Sequence, residues 1–87
     1  MIDLDGPTPL YQQVAAEIRE RIAQGTYRPG RRIPSSAALA EEFGVSRRTV
    51  VEALRLLREA GDIVGVPGRG TFVNTAQNGK NPGQSED

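Results

Sequence analysis

Glycine and proline punctuate this chain so closely that only short elements fit between them. Three stretches of nine or more residues stay free of both: Leu10 to Gln24, Ser35 to Phe43, and Val45 to Ala60. In the first, Leu10, Val14, Ile18 and Ile22 recur every fourth position, with Tyr11 and Ala15 beside them, which is one face of a helix. Thr8 is suited to cap it, with Pro9 at the first helical position, where a missing N–H costs nothing. Gln24-Gly25 ends it, and Glu17 and Arg21 form an i,i+4 pair on its wet side. In the second stretch, Ser35 or Ser36 caps a helix running to Phe43, with Leu39, Ala40 and Phe43 facing inward. Gly44-Val45 makes a tight corner. Ser46 then caps a third helix, Arg47 to Ala60, whose Val50, Ala53, Leu54 and Leu57 fall at i, i+3, i+4 and i+7, and Gly61 closes it. A short helix, a tight link and a longer helix make a helix-turn-helix unit.

Beyond Gly61 the pattern turns β-branched. Asp62 to Val66 reads as a strand, Pro67-Gly68-Arg69-Gly70 as a hairpin turn, and Thr71-Phe72-Val73 as the return strand. A two-stranded hairpin is marginal in water. This one must lie on the helices, with Ile33 adding a third short strand from the extended Arg32-Ile33-Pro34, which follows the turn Tyr27-Arg28-Pro29-Gly30. The fold class predicted is α+β, mostly α: a winged helix-turn-helix of three helices and a small antiparallel β-wing. Residues 1–7 are expected to be an N-terminal arm, 8–73 the folded domain, and 74–87, which hold no large apolar residue, a polar disordered tail.

Absent residue types exclude whole classes of chemistry. With no Cys and no His there is no disulfide, no Cys/His zinc site, no Cys nucleophile and no Ser-His triad. The carboxylates do not fall at metal or acid/base spacing, Glu41, Glu42 and Glu52 reading as solvated surface, so no cofactor, metal or enzymatic activity is expected. The acidic start MIDLDGPTPL is no signal peptide, and no apolar run approaches the ~18 residues of a membrane span, so a cytoplasmic location is expected.

Eleven Lys and Arg balance eleven Asp and Glu. Their distribution says more than their sum. All the cations but Lys80 are Arg, the better residue for forked recognition of phosphates and base edges. Arg28, Arg31 and Arg32 stand together without an acid between them. Arg47 and Arg48 open the third helix, where acids would suit the helix dipole better. Two adjacent arginines on a capped helix are by themselves only solvated surface. At the start of the second helix of a helix-turn-helix they point to DNA, because that end enters the major groove. Arg47 and Arg48 are therefore candidate base contacts, at a helix end that attracts phosphate. Val51 is a candidate contact to a thymine methyl, with plain uncovered surface as the alternative. Ser35, Arg31 and Arg32 are candidate phosphate contacts beside the groove, with a solvated loop as an equal alternative for Arg28, Arg31 and Arg32. On the hairpin tip, Gly68, Arg69 and Gly70 suit the minor groove, since narrow tracts attract Arg and glycine permits close approach. Tyr11, Tyr27, Phe43 and Phe72 are too scattered for a single-strand stacking platform. Leu56 and Tyr11 are candidate anchors for pairing of two domains, with core packing as the alternative for Leu56.

In order along the chain, PLYQQVAAEIRERIAQGTYRPGRRIPSS, LAEEFGVSRRTVVEALRLLREAGDIV and GRGTFV resemble the winged helix-turn-helix domain of the GntR family of bacterial transcriptional regulators, from Thr8 to Val73. The resemblance implies a three-helix core with a β-wing, binding to a palindromic double-stranded operator as a homodimer at least on DNA, and regulation of transcription, most often repression. It implies that Arg47 reads a base with Arg48 beside it, that Ser46 and Thr49 hold phosphates, and that Gly68-Arg69-Gly70 enters the minor groove. The chain departs from the family pattern at Ser36-Ala37, where Glu-Arg is usual, at Val51, where Arg is frequent, and at Pro67, where a polar residue is usual. Family members also carry a C-terminal domain that binds a small effector. Here a polar tail follows the wing, with no effector pocket evident, so the chain is a stand-alone minimal member or the DNA-binding fragment of a longer regulator; its SED ending favours a natural terminus. From another class, a winged-helix adaptor that binds protein is the alternative, favoured by the neutral net charge.

Overall fold

A computed structural model describes residues 2–75 of the chain. In chain order it holds helices α1 (Leu10–Ala23), α2 (Ser36–Phe43) and α3 (Arg47–Ala60), then strands β1 (Ile63–Val66) and β2 (Gly70–Val73). The α3 boundaries match their local signals: Ser46 Oγ accepts from Thr49 N at 3.1 Å, and Gly61 closes the helix at φ +87°. Of the two serines that could cap α2, Ser35 does so, its Oγ accepting from Ala38 N at 3.1 Å.

The start of α1 differs from expectation. Pro9 itself occupies the cap position, and no side chain caps the helix. Its carbonyl accepts from Gln12 N and Gln13 N. The Gln13 side chain organises the entrance instead. Its amide donates to the carbonyls of Thr8 (2.8 Å) and Asp3 (2.9 Å), and its oxygen accepts from Asp3 N at 2.6 Å. Folding the arm back onto Gln13 takes Thr8 out of capping position.

The core stripes meet as their spacing requires. Val14, Ala15, Ile18 and Ile22 of α1, Leu39 and Ala40 of α2, and Val50, Ala53, Leu54 and Leu57 of α3 are buried in one cluster, while Leu10 is only half-buried. Tyr11, Phe43 and Leu56 are half-buried against it. Each large side chain so buried contributes roughly 1.5–3 kcal/mol relative to exposure.

The hairpin pairs Ile63 with Val73, Val64 with Phe72, Gly65 with Thr71 and Val66 with Gly70. Ile63 and Val73 are buried on its inner side. Its turn is Pro67-Gly68-Arg69, closed by Arg69 N donating to Val66 O at 2.9 Å, so β2 begins at Gly70 rather than Thr71. The expected third strand is reduced to one bridge, Arg32 to Phe72, with Ile33 N donating to Thr71 O and Val73 N to Arg31 O. Pro34 has no N–H to continue that ladder, and Ser35 is already turning into α2.

Asp62, expected within the strand, precedes it. It is buried, and its carboxylate accepts from both Nε and Nη2 of Arg19 at 2.9 Å. Asn74 binds the same corner, donating from its backbone N to Asp62 O (3.1 Å) and from Nδ2 to Gly61 O (3.0 Å). The rest of the expected tail, from residue 76, lies outside the described residues.

Candidate nucleic-acid interface

The amino end of α3 stands open. Arg47 and Arg48 are exposed, and the first turn holds no acid. Ser46 and Thr49 bond to each other, Oγ to Oγ1 at 2.9 Å. One turn on from Arg47, Val51 is 47% exposed. Neighbouring residues on a helix diverge by about 100°, so Arg47 shares a stripe with Val51 and Arg58, while Arg48 shares one with Glu52 and Arg55.

Between α3, the start of α2 and the turn-side half of β2 runs an open groove of about 850 Å³. Arg32, Ser35, Ser36, Val51, Arg58 and Thr71 line it, over Ile33 and Leu54. Arg58 was not singled out by sequence reasoning. The signal was present: it lies seven residues beyond Val51 on the same stripe.

Arg32 has a structural partner that the sequence did not reveal. Its Nη1 donates to Arg69 O at 3.2 Å, bracing the hairpin tip. Its stem fills the space a β-carbon on Gly70 would need, with Cδ 2.8 Å from that position. Beyond the brace, the Gly68 backbone sits at φ +76° and Arg69 is exposed. Arg28 and Arg31 are exposed on the loop behind.

Ion pairing sorts the arginines into two groups. Arg19 pairs with Asp62. Arg21 pairs with Glu42 at 2.6 Å and Glu17 at 3.5 Å. Arg55 pairs with Glu52 at 2.8 Å and Glu59 at 2.9 Å. The other seven, Arg28, Arg31, Arg32, Arg47, Arg48, Arg58 and Arg69, make no ion pair among the described residues. Every arginine expected at a nucleic-acid site is in this second group.

The Glu17–Arg21 pair, expected on the wet side of α1, belongs to a larger and drier cluster. The Arg21 guanidinium lies over the rings of Phe43 (4.8 Å) and Tyr27 (5.7 Å), and its Nη1 donates to Tyr27 Oη at 2.7 Å. The hydrogen bond to Glu42 is the main cause that holds its pKa above the ordinary arginine value, so it stays charged. The cluster ties α1 to α2. Glu52, then Glu59, likewise raise the exposed Arg55 guanidinium.

Among the described residues no group of three or more His, Cys, Asp or Glu could hold a metal ion, and no helix is long and apolar enough to cross a membrane.

A helix pair joined by a tight corner, with an arginine-bearing second helix open at its amino end and a β-hairpin at its flank, defines a winged helix-turn-helix. The chain belongs to the gntR family of bacterial regulatory proteins, whose model matches residues 10–73. It is 50% identical over 68 residues to the mannosyl-D-glycerate transport/metabolism system repressor MngR of Escherichia coli, covering 78% of this chain and 28% of that protein. It is 48% identical over 67 residues to a histidine utilization repressor of Klebsiella aerogenes, covering 77% of this chain and 28% of the relative. The chain thus matches little more than a quarter of each relative's length. Among solved structures it resembles YtrA from Sulfolobus acidocaldarius, a GntR-family transcription factor (TM-score 0.77, 42% identity, 85% of this chain and 78% of that one). It also resembles AraR(DBD) in complex with operator ORX1 (TM-score 0.76, 38% identity, 84% of this chain and 94% of that one). The family is one of regulatory proteins.

Proposed function

We propose that this chain binds a double-stranded operator sequence-specifically and represses transcription in the bacterial cytoplasm. The observation that carries the reading is the segregation of charge. Seven arginines without carboxylate partners include those at the start of α3, in the groove and on the wing, while the carboxylate-paired ones brace the fold. Arg47 and Arg48 reach base edges in the major groove, where an arginine fork on guanine O6 and N7 is worth about 1–3 kcal/mol of discrimination. Val51 meets a thymine methyl. Ser35, Ser46, Thr49, Arg31 and Arg32 hold phosphates and set the register. Gly68, Arg69 and Gly70 follow the minor groove. One domain of this size makes few such contacts, so two copies on a palindromic site are expected. The named relatives are repressors, and the AraR(DBD) structure is a complex with an operator; both support the reading.

The test is selection of bound duplexes from a random pool, with the wild-type chain and Arg47→Ala. A palindromic consensus that loses one strongly preferred base pair in the variant is expected. Identical consensus and affinity for both proteins overturn the assignment of α3. Absence of any salt-sensitive duplex binding at micromolar protein overturns the function and favours a protein-binding adaptor.

A further inference from the structure

We infer that the groove between α3 and the wing seats one backbone phosphate of the bound DNA strand, and that Arg58 is a phosphate-binding residue of that seat. The inference rests on the DNA-binding reading above and adds to it a residue and a site.

Two guanidiniums, Arg32 and Arg58, line the groove, and no acidic side chain lines it. Neither arginine makes an ion pair among the described residues. Like charges around one hollow repel unless an anion sits between them. Both stems run beside the hairpin. Arg32 packs closely on Gly70, and Arg58 Cδ lies 3.7 Å from where a β-carbon on Gly65 would stand, an ordinary contact distance. The start of α2 opens into the same groove through Ser35 and Ser36. Ser35 Oγ satisfies Ala38 N, and the amides of Ser36 and Ala37 make no hydrogen bond among the described residues. Arg58 is also placed for a strand running from one contact region to the other. It lies eleven residues beyond Arg47, about 16 Å along the α3 axis, at the end nearer the hairpin. A phosphodiester fits better than a free anion because the groove is open along its length.

The test uses the intact chain and a duplex from the selection above. Affinity is measured between 50 and 200 mM monovalent salt for wild type, Arg58→Gln and Arg58→Lys, and on duplexes carrying one methylphosphonate at each position in turn. Losing one phosphate contact lowers the salt slope by about 0.9, so the wild-type advantage over Arg58→Gln should shrink about 3.5-fold across that range. The loss should be equal on specific and scrambled duplexes, and Arg58→Lys should restore most of the slope. One methylphosphonate position should weaken wild type and leave Arg58→Gln unaffected. Unchanged slope in Arg58→Gln, or no such position, overturns the inference while leaving the proposed function standing. A wild-type chain that binds no duplex overturns both. Stabilisation of wild type but not Arg58→Gln by inorganic phosphate alone, with no effect of either change on DNA binding, assigns the seat to a free anion and overturns it too.

Discussion

The wing is braced from outside its own sequence, and Gly70→Ala should reveal how strongly. At Gly70 the backbone φ is +121°, a conformation that L side chains rarely adopt. Holding a side chain there costs about 1–3 kcal/mol. A second cost comes from Arg32. The new β-carbon would stand 2.8 Å from Arg32 Cδ and 3.4 Å from Cγ. Carbon atoms pack at about 3.5–4.0 Å, so the Arg32 stem must retreat by roughly 0.7 Å. That retreat strains the Arg32 bond to Arg69 O, already 3.2 Å long. Its loss adds about 0.5–1.5 kcal/mol. The sum is about 1.5–4.5 kcal/mol, and for a domain of this size 1 kcal/mol moves Tm by about 4–8 °C. Gly70→Ala should therefore melt at least about 6 °C below wild type. The Arg32→Ala background isolates the second cost, because neither clash nor bond exists there. In a four-protein cycle followed by circular dichroism, the two changes should couple by about 1 kcal/mol. A Tm loss under about 3 °C, or the same loss in both backgrounds, refutes the brace.

Two other perturbations test the frame that presents α3. Ser46→Ala should cost about 1 kcal/mol in urea titration through loss of the cap to Thr49 N, whereas Ser36→Ala should stay within about 0.5 kcal/mol, since Ser35 caps α2. Arg21→Met should cost about 2 kcal/mol by removing the bonds to Tyr27 and Glu42 and the contacts over two rings. Because the folded-state pKa of Arg21 is raised, its contribution is fully present below the ordinary arginine range and is lost only as pH climbs past it. The Arg21→Met deficit should therefore be equal at pH 6 and pH 9; a deficit that disappears by pH 9 contradicts the cluster.

Elements whose signals are local were legible in the sequence. Ser46 and Gly61 mark α3 because a cap and a left-handed glycine act within one turn of themselves. The apolar stripes of all three helices were legible because burial follows periodicity. What escaped notice depends on residues far apart. Thr8 failed as a cap because Gln13 holds Asp3, ten residues earlier. Asp62 read as a strand residue because its partner, Arg19, is 43 positions away. Arg32 looked like one more loop cation because its contact with Gly70 exists only once the hairpin has formed. Arg58 is a different case, since its stripe was visible and only the groove gave it meaning.

The pairing pattern also explains how a chain of zero net charge offers a basic surface. Three arginines engage five of the carboxylates, Glu17, Glu42, Glu52, Glu59 and Asp62, in clusters away from the groove. The other six acids stand outside those clusters, and no acid among the described residues lines the groove. At physiological salt the Debye length is about 8 Å, so a phosphate at contact senses the guanidiniums beside it far more than acids elsewhere. A neutral molecule of this kind gains little long-range steering, because its monopole is absent. Its affinity must then rise from contacts made at close range, and its salt slope should count those contacts and be insensitive to charge changes outside the site. Glu41→Gln, on the exposed side of α2 and outside the groove, raises net charge by one and should leave the slope unchanged, whereas Arg69→Gln lowers net charge by one and should reduce the slope by about 0.9. Equal and opposite shifts in the two variants would mean that net charge, rather than the distribution of unpaired arginines, governs binding.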